Sequence, residues 1–193
     1  MKLTNDEIIG LVAGYFPELG KKEVDLFLSL CTYQKVKNKE IILKKGRKDH
    51  ILFLILKGSG RAYEISLDGK EINNHLRSEG FIFGEAKAFG DGMQNLDVEA
   101  IGEMHLLKFD VKKLEQLGFE NKKIMIFYIN ILKEIILTFS HRINSFVAMT
   151  PKERYLDLIN WNPKYIKSAF DKHIATFLGV TPLTLYRIKS KLQ

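Results

Sequence analysis

The chain has a single cysteine, Cys31, among its 193 residues. An internal disulfide is therefore excluded, and so is an iron–sulfur or zinc site built from four cysteines of one chain. We expect a reducing, cytoplasmic setting. The sequence also lacks a glycine-rich phosphate loop and a nucleophile motif, so we do not expect an enzyme.

Apolar runs long enough to cross a bilayer are missing as well. The run from Ile8 to Phe16 follows two acidic residues, where a signal peptide would carry positive charge. The run from Ile124 to Phe139 is interrupted by Lys133 and Glu134, and it falls short of the roughly 20 apolar residues that a spanning helix needs. We expect no membrane partner.

Positive charge is concentrated at the C-terminal end. The net charge of the chain is +7, and the residues from Thr150 onward include 8 Lys or Arg but only 3 Asp or Glu. A basic tail on a nearly neutral body favours a polyanionic partner such as double-stranded DNA. The alternative is a lysine-rich surface that is simply solvated.

The region from Gln34 to Phe109 has the pattern of a β-structure. Strand-like apolar segments alternate with glycines that are spaced ten to twelve residues apart. Such regular turn signals are typical of a sandwich or barrel, and Asp68-Gly69 predicts a hairpin turn. The predicted strands are Glu40–Leu43, Ile51–Leu56, Gly60–Ile65 and His105–Phe109, and the spaced glycines are Gly46, Gly58, Gly69, Gly80, Gly90 and Gly102.

Between Lys122 and Met149 the apolar period changes to that of a long helix. One row follows alternating three- and four-residue steps, as in the seam of a coiled coil, and predicts a homodimer interface. A second row, Ile124, Phe127 and Ile131, suggests a helix between its own barrel and a partner; a core helix of a monomer is the alternative. The predicted interface consists of Met125, Tyr128, Leu132, Ile135, Phe139, Arg142 and Phe146, with Met149 at its end.

The segment from Asp171 to Leu192 predicts a helix-turn-helix. Asp171 caps a first helix, Ala175 allows a close crossing, and Gly179 supplies a left-handed turn. Thr181 and Pro182 begin the second helix, as Thr150-Pro151-Lys152-Glu153 begins an earlier one. The shared core is predicted to be Ile174, Leu178, Val180, Leu185 and Ile188.

The second of these helices is the predicted DNA-reading element. Arg187 has two donors that suit a guanine edge, whereas lysines and hydroxyls suit phosphates. A solvated surface arginine is the alternative reading of Arg187 alone. The predicted DNA-binding residues are Thr181, Leu183, Thr184, Arg187, Lys189, Ser190 and Lys191.

The chain as a whole resembles the Crp/Fnr family of transcription regulators. The resemblance is carried by Lys45-Gly46 with Ile51 to Gly58, by Asp68 to Glu71, by Phe83-Gly84-Glu85, by Thr150 to Tyr155, and by Ile174 to Pro182. It implies an α+β fold in three parts. These are a double-stranded, jelly-roll-like β-roll sensor domain (1–121), a dimerisation helix (122–149) and a small all-α helix-turn-helix domain (150–193). The implied partners are double-stranded DNA, a second copy of the chain and RNA polymerase.

Two departures from the family pattern matter. Cyclic-nucleotide-binding members carry an arginine and a hydroxyl residue about ten positions after the match to Gly84-Glu85, but here the stretch ends in Asp97 and has no arginine. We therefore expect no cyclic nucleotide and leave the effector unknown. The second departure is the missing β-hairpin wing after the last helix. Candidate effector-pocket residues are Phe83, Gly84, Glu85, Ala86, Gln94 and Asn95.

The placement of the histidines does not favour a metal enzyme or a haem protein. A cupin-type metal enzyme needs clustered histidines, but His50, His75 and His105 are scattered. Haem would need an axial ligand such as His75 or His105, although a lone histidine on a strand is more often structural. The main alternative is a ligand-binding or protein-interaction module that has lost specific DNA binding.

Overall fold

A computed structural model describes residues 2–85, 89 and 96–192 of the chain. The strands are β1 (Thr32–Val36), β2 (Ile41–Leu43), β3 (Ile51–Ile65), β4 (Glu71–Ser78), β5 (Ile82–Phe83) and β6 (Asp97–Asp110). Two helices precede them, α1 (Asn5–Tyr15) and α2 (Lys21–Ser29). Six follow: α3 (Val111–Glu120), α4 (Lys122–Ala148), α5 (Pro151–Trp161), α6 (Pro163–Ser168), α7 (Asp171–Phe177) and α8 (Pro182–Ser190).

The strands form one antiparallel sheet that folds into a roll. Its path runs β1-β6-β3-β4, with β2 added to β6 and β5 added to β3. The predicted hairpin at Asp68-Gly69 joins β3 to β4, and Ser66 N–H donates to the Lys70 carbonyl at 2.9 Å across it. The predicted α+β class with a jelly-roll-like β-roll is confirmed.

The long strands β3 and β6 bend where glycine interrupts them. The sequence predicts two strands, Ile51–Leu56 and Gly60–Ile65, but the structure has one continuous strand whose register shifts around Lys57 and Ser59. Gly58, at φ +94°, lies at this irregularity. The bend lets one strand serve both halves of the roll, so a break in the sequence pattern does not end the strand.

Two apolar clusters fill the roll and its helical cover. Phe53, Phe83 and Met104 belong to the cluster inside the roll. The other cluster joins the roll to α1, α2, α3 and α4, and its centre is Phe127 of α4, edge-on to Phe16 and Phe27 at 4.7 and 5.0 Å between ring centroids. The predicted second row of α4 is therefore buried in the chain's own core.

Helix α4 passes a length and composition criterion for a membrane span. One such helix is weak evidence, because core helices of globular proteins pass the same test. Here Ile124, Phe127 and Ile131 are at most 2% exposed against the roll. Their burial is typical of a helix that packs on a globular core.

The opposite side of α4 carries an exposed apolar row. Ile126, Ile129, Ile136, Ile143 and Val147 are between 40% and 82% exposed. They follow steps of three and four residues, with Lys133 and Ser140 filling the two remaining positions. This row is one residue out of phase with the interface row predicted from the sequence.

The helices after α4 begin as the sequence predicts. Thr150 and Glu153 form a capping box at the start of α5, and Pro151 occupies the first helical position. A third apolar cluster lies here, in which Tyr155 and Leu158 pack with α7 and α8. Leu76 of β4 also belongs to this cluster, so the C-terminal helices share apolar contacts with the roll.

We expect Gly58→Ala to destabilise the fold by about 3 kcal/mol. An added Cβ would stand 2.5 Å from the Glu103 carbonyl oxygen, and the left-handed backbone costs a further ~1 kcal/mol. The control is Gly69→Ala, which has a similar φ of +78° but no atom within 4 Å of the added Cβ, and should lose only about 1 kcal/mol. Urea denaturation measures both, and equal losses would contradict the close approach at Gly58.

Candidate functional site

The turn between α7 and α8 has the geometry that the sequence predicts. Gly179 lies at φ +67°, a left-handed conformation that ends α7. Thr181 caps α8 by accepting a hydrogen bond from Thr184 N–H at 3.1 Å, and Pro182 follows at the first helical position. Of the predicted shared core, Ile174, Leu178 and Leu185 are at most 1% exposed, and Val180 and Ile188 pack on them.

The capping role predicted for Asp171 is wrong. The N-cap of α7 is Phe170, and no side chain caps this helix. Asp171 is instead the first helical residue, and its carboxylate pairs with Lys189 Nζ of α8. The pair ties together the ends of the two helices, so Lys189 has an intramolecular partner.

The predicted DNA-binding residues lie on α8 and at its two ends, but their side chains differ in availability. Leu183 is 58% exposed, and Tyr186, which was not among the predicted DNA-binding residues, is 66% exposed beside it. The Ser190 hydroxyl donates to the Tyr186 carbonyl, and the Thr184 hydroxyl shares a 2.9 Å hydrogen bond with Thr181. Lys191 is exposed at the end of the helix.

Arg187 differs from the other arginines in its surroundings. Arg47 pairs with Asp49, and Arg61 and Arg77 form buried ion pairs. Arg142 and Arg154 bond backbone carbonyls. Arg187 alone is exposed without a hydrogen bond or ion pair to any part of the chain that the structure describes. Its guanidinium is therefore accessible from solvent.

The C-terminal half of α4 braces the helix-turn-helix. The ring of Phe146 lies over Gly179, where an added Cβ would be only 2.9 Å from Cε1. Arg142 stacks between Phe146 and Phe177 and donates to the Phe177 carbonyl, while Arg154 donates to the Leu178 carbonyl at 3.1 Å. Burial, and then the neighbouring Arg154, lower the pKa of Arg142 to about 10. The arginine that interrupts the apolar row of the predicted interface thus holds the end of α7.

The candidate effector residues are only partly within the described part of the chain. Ala86, Gln94 and Asn95 lie outside the described residues. Phe83 is 1% exposed inside the roll. Gly84 has φ +105° and lies so close to strand β3 that an added Cβ would be 2.7 Å from the Ile51 carbonyl oxygen.

Glu85 is engaged by a buried arginine that sequence reasoning missed. Arg77 Nη2 donates to Glu85 Oε1 at 2.6 Å, Nη1 donates to the Ile82 carbonyl, and the guanidinium lies over the Phe83 ring. Arg77 and Glu85 are 3% and 8% exposed. The same arginine acts on Glu134 of α4. Burial raises the pKa of the Glu134 carboxyl, and the charge of Arg77 opposes that shift. The pair thus connects β4, the start of the candidate pocket and α4.

The histidines considered as metal or haem ligands are not brought together. His105 Nδ1 shares a 2.5 Å hydrogen bond with the Tyr33 hydroxyl. His75 lies edge-on to Phe139, and burial, followed by Arg77 and Arg142, holds its pKa well below the usual value. Within residues 2–85, 89 and 96–192, no group of three or more metal-ligating side chains is found.

The predicted dimer-interface residues are distributed between core and surface. Ile135 is 7% exposed and packs in the chain's own core. Met125, Tyr128, Leu132 and Arg142 are half-buried, and Phe139 and Phe146 are 37% and 43% exposed. The row that a partner would meet most fully is the exposed row that begins at Ile126.

Comparison with known proteins agrees with this architecture. Residues 33–121 match the family model of the cyclic nucleotide-binding domain. The chain is 30% identical over 103 residues to the cAMP-activated global transcriptional regulator CRP of Pasteurella multocida, and the match covers 53% of this chain and 49% of that protein. The chain thus matches about half the length of this curated relative.

Solved structures extend the likeness to nearly the whole chain. FixK2 from Bradyrhizobium japonicum superposes with a TM-score of 0.70 at 17% identity, covering 84% of each chain. CooA from Carboxydothermus hydrogenoformans, solved as a mutant, gives 0.66 at 16% identity over 86% of this chain and 77% of its own. CLP from Xanthomonas campestris gives 0.65 at 15% identity over 94% and 91%.

The fold and the matched domain therefore define a protein with a cyclic nucleotide-binding-type β-roll and a C-terminal helix-turn-helix. The family-model match covers the roll, and the structural neighbours cover both parts. The chain resembles the Crp/Fnr family in the sequence of its roll and in its fold, and the resemblance predicted from its sequence is confirmed.

We expect Glu85→Gln to cost about 3 kcal/mol of stability, because it leaves the Arg77 charge buried without its carboxylate. The double variant Arg77→Met/Glu85→Leu removes both charges and should lose less than the single change. Chemical denaturation of both variants is the measurement. If the double variant is the less stable one, the pair contributes net stability that burial of apolar groups does not replace.

Proposed function

We propose that this chain is a dimeric, DNA-binding transcription regulator that acts in the cytoplasm and has no catalytic role. The relatives are transcription regulators, and the candidate reading helix faces outward in the folded chain. RNA polymerase is a further partner that this function implies. The division into a sensor (1–121), a dimerisation helix (122–149) and a DNA-binding unit (150–193) is part of the proposal.

The observation that carries the proposal is the state of Arg187. Five arginines are used inside the chain, whereas Arg187 stands exposed and unpaired among the described residues, on the helix that the Gly179 turn presents. A guanidinium in this position can donate two hydrogen bonds to a guanine edge in the major groove. Lys191, at the end of the same helix, is placed for a phosphate.

The proposed dimer is built on the exposed row of α4. Five branched aliphatic side chains at coiled-coil spacing are left in water by a single chain, and such a stripe is typical of an interface. A two-fold axis along α4 would pair the two reading helices. On B-DNA they would then lie about 34 Å apart and read a roughly palindromic site.

We further propose that the effector of the roll is not a cyclic nucleotide. Glu85 is occupied by Arg77, and Phe53, Phe83 and Met104 fill the interior. The relatives named as cAMP-activated and as c-di-GMP responsive both respond to cyclic nucleotides, so this proposal rests on the residues of this chain alone.

A module without specific DNA binding is the second candidate. It is favoured by the apolar side of the reading helix, where Leu183 and Tyr186 are the most exposed residues, and by the neutralised charge of Lys189. The salt dependence of DNA binding separates the two functions, because phosphate contacts release counterions. An interaction module would show no such slope.

We expect Arg187→Ala to reduce discrimination between DNA sequences and Lys191→Ala to reduce affinity for all of them. Loss of a bidentate guanine contact should remove roughly 1 to 3 kcal/mol of discrimination per half-site against a single-guanine variant of the operator. Lys191→Ala should weaken all sequences alike and lower the salt slope by about one. Fluorescence anisotropy with selected genomic fragments over a salt series measures both.

The Lys191 variant is the matched control, since it removes one charge from the same helix. If Arg187→Ala weakens operator and random DNA by the same factor, its role is electrostatic. The base reader would then be among Thr184, Tyr186 and Ser190.

For the dimer, we expect Ile136→Glu to weaken association at least about 100-fold, because each protomer would bring a carboxylate into an apolar interface. Ile136 is 65% exposed, so folding should be unaffected. Sedimentation at micromolar concentration is the measurement. Ile135→Glu, which the sequence pattern favours, would instead place a charge in the chain's own core.

Leu67→Glu is the control, since Leu67 is fully exposed on the hairpin between β3 and β4, away from α4. It should leave sedimentation unchanged. A parent protein that is itself monomeric, or an Ile136→Glu variant that sediments like the parent, would exclude this interface.

A further inference from the structure

The outer face of strand β4 is covered by helix α7, and the contact is partly polar. Leu76 gives the apolar part, packing with Ile174 and Leu158. Arg61 of β3 lies directly opposite Leu76 in the pairing of the two strands, and it is 3% exposed. A charge at this depth must be matched by acceptors on every side to remain buried.

Arg61 finds those acceptors in the roll and in the helix-turn-helix. Its Nε and Nη2 donate to the two carboxylate oxygens of Glu99 at 3.2 and 3.4 Å. Nη1 donates to Glu71 at 2.6 Å and to Asn73 Oδ1 at 3.2 Å. The same Nη1 lies 3.2 Å from His173 Nδ1, on α7. The guanidinium therefore bridges the sensor and the DNA-reading unit.

Asn73 completes the bridge from the sensor side. Its Oδ1 accepts from Arg61, while its Nδ2 donates to the Thr176 hydroxyl and to the His173 carbonyl at 3.3 Å. Asn73 and His173 are 1% and 5% exposed. Separation of α7 from β4 would leave these hydrogen-bonding groups to water, so the network is formed only when the two units are docked.

His173 must be neutral for this contact. Burial, and then the Arg61 charge, lower its pKa to about 4; Lys172 acts in the same direction and Glu71 against it. The neutral ring can present Nδ1 as an acceptor to Arg61, whereas a protonated ring would set two cations against each other. A cleft of about 420 Å³ lined by Arg61, Glu99 and His173 gives solvent a route to the network.

We propose that Arg61, Asn73 and His173 form a latch that fixes the helix-turn-helix to the roll of its own chain, so that strand β4 sets the orientation of the reading helix. The latch rests on the proposed function only for the statement that the reading helix binds DNA. The docking of α7 on the roll does not depend on DNA binding. Arg77, which holds Glu85 beside the candidate effector region, belongs to the same strand. A change at Glu85 would thus reach α7 through one strand.

The latch is tested by distances between spin labels on the two units of the chain, with labelled protein diluted in unlabelled protein so that distances within one chain are measured. Labels at Leu67→Cys on the roll and Tyr186→Cys on α8 occupy exposed positions, in a Cys31→Ser background. The parent should give one narrow intrachain distance. Asn73→Asp keeps the shape and the contact with Arg61 but loses the donor to α7, and Thr176→Val removes the acceptor from the other side. Each should add a second, longer distance population.

Asp171→Ala is the matched control, because it removes an ion pair of α7 that lies outside the latch. It should keep the parent distance. Since Asn73 and Thr176 meet in one hydrogen bond, the double variant should undock no more than the stronger single variant. Unchanged distances in both single variants, with the roll still folded by circular dichroism, would overturn the proposal whether or not the protein binds DNA.

Acid provides a second test with a fixed sign. An undocked His173 takes up a proton near its ordinary pKa of 6.5, and the docked form does so near 4, so docking weakens as pH falls between these values. From pH 7 to 5 the parent should lose about 20-fold in the docking equilibrium, while Glu71 keeps its charge because Arg61 lowers its pKa. His173→Gln should lack this dependence, and an equal acid response in that variant would contradict the role of His173.

Discussion

Helix α4 has to fit two different surfaces at once, and the positions of the other elements depend on that fit. Its first half places Phe127 among the aromatic rings of the roll and its helical cover, where the core leaves no space for another rotation of the helix. Its second half places Phe146 over Gly179 and Arg142 against Phe177. Because one continuous helix makes both contacts, the turn that precedes the candidate reading helix is positioned relative to the roll.

Buried arginines mark the junctions of this molecule. Arg61 lies between the roll and α7, Arg77 between β4 and the candidate effector region, and Arg142 between α4 and α7. A guanidinium removed from water is stabilised where its donors meet acceptors in a fixed planar arrangement, and among the buried side-chain atoms of the described residues only Arg77 Nε lacks such a partner. Such junctions define orientation more narrowly than apolar packing does, since sliding by one ångström breaks the hydrogen bonds but preserves most of the apolar contact.

Local features of the fold could be predicted from the sequence because their causes are local. The capping box at Thr150 and the left-handed turn at Gly179 each depend on residues within a few positions, and the structure contains both. The start of the candidate reading helix was therefore predicted correctly from the turn at Gly179 and the cap at Thr181. Asp171 is the exception, because its carboxylate found a partner 18 residues away in Lys189.

Features that depend on distant pairings could not be predicted in the same way. Arg61 and His173 are 112 residues apart, and nothing in either neighbourhood indicates the contact. The phase of α4 is a related case. Two apolar rows one residue apart fit the pattern almost equally well, and only the packing of Ile135 into the core decides which row remains exposed.

The division into sensor and DNA-binding parts is less sharp in the folded chain than in the sequence. Leu76 of the roll packs within the apolar cluster of the C-terminal helices, and Asn73 of the same strand bonds two groups of α7. The other face of β4 carries Arg77 and, through it, Glu85 and the nearby Glu134 of α4. A single strand is therefore in contact with the candidate effector region, the proposed dimer helix and the proposed DNA-binding unit. A ligand that displaced Glu85 from Arg77 would leave a buried charge in the centre of this strand, and relief of that charge requires β4 or α4 to move.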